Sequence, residues 1–256
     1  MMSGNKIWDM KVILDHEVFD YVEYSVNSWK EWIAKTMSEI ENVELKEIKL
    51  LTYFSILEMM AQEYDNFPSS KLQDSFSKFV LRFQNKYDFL EAVDPVTLFY
   101  RVEDIVSEKV NLNDFVDGEI YFPNYKILSD KVVEIQGELI KKKGKEYTEK
   151  KLKEHRYVDL LYRMRCRLSH EFSAPHISFS KVIEKPSYIN CTRQYVSKGR
   201  LVSDDVWQLR FPVKFVKDLC MNCFENYLDY CLRERIPPDK NNGLDRLCEL
   251  SWYNNK

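Results

Sequence analysis

The sequence predicts a mainly α-helical protein: a single helical bundle with a small β-hairpin inserted before the last long helix. Three observations carry this. Apolar residues recur at spacings of three and four through most of the 256 residues, which is the period of one helix face. Only 6 residues are glycine, too few for an all-β chain with many tight turns. One stretch, about 177–211, leaves the helical period and alternates instead, as strands do.

Each element follows from the pattern. Residues 1–14 read as a lead-in with an apolar patch of Ile7, Trp8 and Val12 to Leu14. The spacing of Val18, Val22, Val26, Trp29, Ile33, Met37 and Ile40 predicts a helix over His16–Ile40, with Trp29 and Trp32 as core or interface residues. Glu44–Tyr64 reads as a second, well-buried helix, because its apolar face is broad. Asn66–Ser70 contains Pro68 and reads as a turn; Ser69 or Ser70 then caps a helix running to Tyr87. Pro95 opens a helix to Val110, and Asn111–Asn124 is a polar loop.

Tyr125–Lys143 is the next helix, closed by Lys142, Lys143 and Gly144. Tyr147–Phe172 follows as one continuous helix stopped by Pro175. The alternating segments Ile177–Phe179, Tyr188–Cys191 and Val206–Phe211 predict the hairpin. Pro212–Arg235 is the closing helix, and Asp239–Lys256 a tail with a short helix over Leu244–Leu250. No linker divides the chain, so 1–256 reads as one domain.

Composition removes several function classes. There is no G-x-x-x-x-G-K-[ST] and no G-x-G-x-x-G, so neither phosphate-cradling glycine loop is present. No apolar run is long enough for a membrane span. Residues Met1–Met10 lack the apolar core of a secretion signal, so a cytoplasmic location is expected, with reduced thiols. Cys220-x-x-Cys223 has metal-ligand or redox spacing. It sits inside an apolar-periodic helix with no second close pair and no nearby His, so buried structural thiols are expected. No cofactor is implied.

Charge is unevenly placed. Residues 1–125 hold 12 Lys+Arg against 23 Asp+Glu, whereas residues 126–167 hold 13 against 7. The basic block ends at Tyr162–Pro175, where Arg163, Arg165 and Arg167 precede Ser169 and His170. Histidine can give and take a proton near neutral pH, and arginine holds its charge and forks onto phosphate oxygens. Together they suit cleavage of a ribonucleotide backbone. On an ideal helix Arg163, Arg167 and His170 share one face, while Arg165 lies about 140° from His170. In the second helix Glu58 falls among apolar neighbours; it is either a buried carboxylate that needs a partner, for which a motif arginine is the candidate, or a residue at the face boundary that points to water.

The spacing Arg165-x4-His170 resembles the R-x4–6-H signature of HEPN-domain ribonucleases, with Phe172 where some members carry Tyr. Arg163 fits the longer spacing. Ile56-Leu57-Glu58-Met59-Met60-Ala61 also resembles the hydrophobic early helix of that family. The resemblance implies a HEPN-like bundle and a metal-independent endoribonuclease of the toxin or antiviral-defence type. It implies a homodimer with a composite active site, RNA as substrate, a possible inhibitory antitoxin, and no membrane partner. His170 would then move the proton and Arg165 hold the scissile phosphate. Cleavage would leave a 2′,3′-cyclic phosphate and a 5′-hydroxyl. The rival expectation is a non-catalytic HEPN-like scaffold that binds RNA, a nucleotide or a protein partner.

Overall fold

The computed structural model describes residues 11–14, 17–65, 72–106, 120–121, 125–171, 177–178, 185–197 and 200–239. The chain is mainly helical, and an antiparallel hairpin precedes the last long helix. Two compact units form, one from residues 1–86 and 219–256, the other from 87–218. Ile7, Trp8, the Asn66–Ser70 turn, Phe172, Pro175 and the tail helix Leu244–Leu250 lie outside the described residues, as does most of the Asn111–Asn124 loop.

The first unit begins with a strand pair, β1 (Lys11–Leu14) and β2 (Glu17–Asp20), where a lead-in and the start of a helix were expected. The pair is antiparallel, from Lys11 opposite Asp20 to Leu14 opposite Glu17. Helix α1 (Tyr21–Glu41) therefore starts later than its apolar period suggests. The reason is local: the Asp20 carboxylate accepts the Glu23 N–H at 3.1 Å and caps the helix. Val22, Val26, Ile33 and Ile40 are buried as the period predicts. Trp32 is exposed, so it is not a core residue of this chain.

Helix α2 (Lys46–Tyr64) carries Leu50, Tyr53, Phe54, Leu57 and Met60 inward. Helix α3 (Leu72–Phe83) stops short of Tyr87, and an amide pair marks the spot. Asn222 Oδ1 accepts the Asn85 N–H at 3.0 Å, and Asn222 Nδ2 donates to Asn85 Oδ1 at 2.9 Å. Asn222 lies on α8 (Val213–Glu234), whose later half belongs to this unit. Tyr227 from α8 meets Phe79 and Phe83 edge-on at 5.5 and 5.3 Å, each such pair contributing about 0.5–1.5 kcal/mol beyond area burial. Cys220, Cys223 and Cys231 are buried thiols outside any disulfide; burial alone drives the Cys220 pKa far up, and it leads for Cys223 too.

In the second unit a short 3-10 turn over Asp88–Glu91 leads into α4 (Pro95–Val102). Helix α4 is half the expected length. Asp94 caps it, its carboxylate accepting the Val96 and Thr97 N–H groups at 3.1 and 3.3 Å. Helices α5 (Tyr125–Lys143) and α6 (Lys145–Glu154) are separated at Gly144. Its φ of 86° is a conformation that glycine alone adopts without strain.

The helix expected over Tyr147–Phe172 is two helices, α6 and α7 (Tyr157–Glu171). Between them the backbone turns to pair with Ala92–Asp94. The Asp94 N–H donates to His155 O at 2.9 Å, and the Tyr157 N–H to Ala92 O at 3.0 Å. The break is made by a distant segment, with no local Pro or Gly to announce it.

The hairpin is longer than its alternating segments suggest. Strand β5 (Ser187–Ser197) pairs antiparallel with β6 (Arg200–Pro212), from Ser187 opposite Arg210 to Ser197 opposite Arg200. Two-residue strands flank it: β3 (Ile120–Tyr121) along β5 and β4 (Ile177–Ser178) parallel to β6. Its base is core, with Tyr188, Trp207, Leu209 and Phe211 buried. At the far end Val196 and Leu201 are 73% and 70% exposed.

Candidate functional site

The elements of the second unit converge on one buried hydrogen-bonded cluster. Asp94, at the start of α4, is fully buried, and burial raises its pKa despite the donors around it. The Tyr188 hydroxyl donates to Asp94 Oδ1 at 2.5 Å, and the Tyr157 hydroxyl lies 2.7 Å from that of Tyr188. One carboxylate thus joins the first turn of α4, the first residue of α7 and strand β5. Burial also pushes the Tyr188 pKa well up, so its hydroxyl remains a donor. Asp159, in the first turn of α7, is buried and accepts from Arg156 Nε at 2.7 Å.

This frame fixes the direction of α7. Tyr157, Val158, Leu161, Met164 and Leu168 turn inward, leaving Arg163, Arg167, Ser169 and His170 exposed. Arg165 is half-buried on a different side of the helix, as the 100° step per residue requires. The Ser169 hydroxyl donates to the Arg165 carbonyl at 3.0 Å, so its proton is already committed within the helix. Glu58 is 8% exposed on α2 in the first unit. The motif arginines belong to the second, and the pairing expected between them falls outside what either unit shows by itself.

Beside the predicted pair lies a groove of about 510 Å³ between α4, the His155 turn, α7 and β6. Arg101, Arg163, Arg167 and His155 supply its polar lining; Leu160, Met164, Leu209 and Phe211 supply apolar lining. No carboxylate lines it among the described residues. Arg163 Nη2 donates to the Glu154 carbonyl. Desolvation lowers the Arg163 pKa, the Glu154 and Asp159 charges work against that, and the Arg167 charge adds to it, though an arginine stays charged at any working pH. Arg101 and Arg167 are exposed and make no hydrogen bond or ion pair among the described residues.

His155 is 3% exposed, and burial lowers its pKa, so the ring is held neutral near pH 7. Its Nδ1 lies 2.7 Å from the Lys151 carbonyl. A carbonyl only accepts, so Nδ1 carries the proton and Nε2 is left as the accepting nitrogen.

The structure therefore brings Arg163 and Arg167 into the groove and leaves Arg165 and His170 out of it. Arg101 and His155 were missed by sequence reasoning. Arg101 is remote in the chain, and His155 lay inside what read as an unbroken helix. Among the described residues no helix is long and apolar enough to cross a membrane. No known protein family, curated protein or solved structure matches the chain.

Proposed function

We propose that the protein is a metal-independent endoribonuclease acting through His170 and Arg165, with RNA as substrate and a second copy of the chain completing the cleft. What supports the reading is that the last turns of α7 present an exposed imidazole together with fixed cations to solvent. Neither His170 nor the arginines are entombed in the core, so a polyanionic strand can reach them. The ribose 2′-oxygen attacks phosphorus while the bond to the 5′-oxygen breaks. The 2′-hydroxyl proton passes to one imidazole, and the leaving 5′-oxygen takes a proton from another. A single His170 performs one of these transfers, which is the chemical reason for a composite cleft. Arg165 holds the scissile phosphate and stabilises the charge that builds on its oxygens, an effect of about 10²–10³ in rate. Such an activity fits a regulated toxin or antiviral-defence effector.

Incubation of the purified protein with single-stranded RNA in EDTA tests this, with the cut ends analysed. Products ending in 2′,3′-cyclic phosphate and 5′-hydroxyl are expected; 3′-hydroxyl and 5′-phosphate ends would overturn the mechanism.

A further inference from the structure

We infer that the groove between α4, α7 and β6 is a binding site for one nucleotide unit, separate from the Arg165–His170 pair. The phosphate lies between Arg101 and Arg167, and the base lies against the apolar lining.

Charge makes the first argument. Three guanidinium groups line one groove from two helices; Glu154, Asp159 and Asp94 offset part of the Arg163 charge, whereas Arg101 and Arg167 make no ion pair among the described residues. Like charges brought together destabilise one another, and a bound anion removes that repulsion. Arg163 is held by the Glu154 carbonyl, so it is a fixed cation. Arg101 and Arg167 have side-chain donors to spare. Arginine forks match the oxygens of a phosphate in pairs.

The apolar lining makes the second. Met164, Leu209 and Phe211 line the groove but are themselves buried, so the apolar surface open to a ligand is that of half-buried Leu160 and Tyr100, which a bare inorganic anion would leave unused. These suit a flat, largely apolar group attached to the phosphate, as a nucleobase is. The neutral His155, with Nε2 as acceptor, adds a group that can receive an N–H or O–H from a base or sugar. The volume of about 510 Å³ lies within the range of small-ligand sites.

The same chemistry is offered by a free mononucleotide and by one nucleotide of an RNA strand. Calorimetric titration of the full chain separates the two. The probes are AMP, GMP, CMP and UMP, the four matching nucleosides, inorganic phosphate, and a 2′-O-methyl RNA octamer that cannot be cut through its 2′-oxygen. At least one monophosphate is expected to bind about tenfold or more tightly than its nucleoside and than phosphate. Arg101→Ala is expected to weaken that binding about tenfold or more, and Arg101→Lys to restore part of it. Arg101 is exposed, so the variants should fold. Arg101-dependent binding of the octamer alone supports the site and assigns it to the RNA strand. Equal binding of nucleosides and monophosphates, binding indifferent to Arg101, or no binding by any probe overturns the inference. Each readout is binding without cleavage, so a failed nuclease assay leaves this result standing and a failed titration leaves the nuclease reading standing.

Discussion

Tyr188→Phe removes one oxygen atom from the interior of the second unit and tests the frame that holds the site. The hydroxyl donates to the buried Asp94 carboxylate at 2.5 Å and lies 2.7 Å from the Tyr157 hydroxyl. A hydrogen bond to a charged group contributes about 1.5–3 kcal/mol, and thinning the donors around a buried acceptor adds about 1 kcal/mol more. The variant should lose about 2.5–4 kcal/mol, or about 5–16 °C in melting temperature for a chain of this size. The pH dependence has a definite sign. Burial raises the Asp94 pKa above 3.8, while the Tyr188 bond pulls it down. The wild-type stability linked to Asp94 is full below 3.8 and falls as pH rises through the folded value. Without the Tyr188 donor the folded value rises further, so the deficit of the variant should grow as pH rises from 3.8. Urea unfolding at several pH values measures it. A loss under about 0.5 kcal/mol, or a deficit that shrinks with rising pH, would refute the claim that this cluster ties α4, α7 and β5 together.

Two further outcomes are expected. In RNA cleavage, Arg165→Ala should cost about 10²–10³ in rate, more than Arg163→Ala; the reverse order in the same assay would move catalysis to the groove face of α7. His155 has a pKa lowered from 6.5 by burial, so its contribution to stability is full above 6.5 and is lost as pH falls below it. The melting temperature of the wild type should therefore drop more steeply between pH 6.5 and 5 than that of His155→Gln, measured by thermal scans across that range.

The long elements were legible because their burial is periodic. Val22, Val26, Ile33 and Ile40 on α1, and Phe215, Leu219, Cys223 and Tyr227 on α8, are buried at the spacings read from the chain. The hairpin was legible from alternation, although β5 and β6 continue into residues such as Thr192 and Gln194, whose exposed ends leave no apolar signature. The missed features are non-local. The α6–α7 break depends on pairing with Ala92–Asp94. The β1–β2 pair displaces the first turns of a helix that Val18 seemed to begin. At the site, the separation of Arg165 from the Arg163–Arg167 face followed from helix geometry; the exposure of His170 did not. Nor did the groove, because Arg101, His155 and Phe211 meet there only through the tertiary fold.

The most direct measurement compares wild type and His170→Ala on end-labelled single-stranded RNA in EDTA, each first shown to unfold at the same temperature. The account predicts cutting by the wild type and none by the variant. Intact RNA with the wild type, or equal cutting by both, would contradict it.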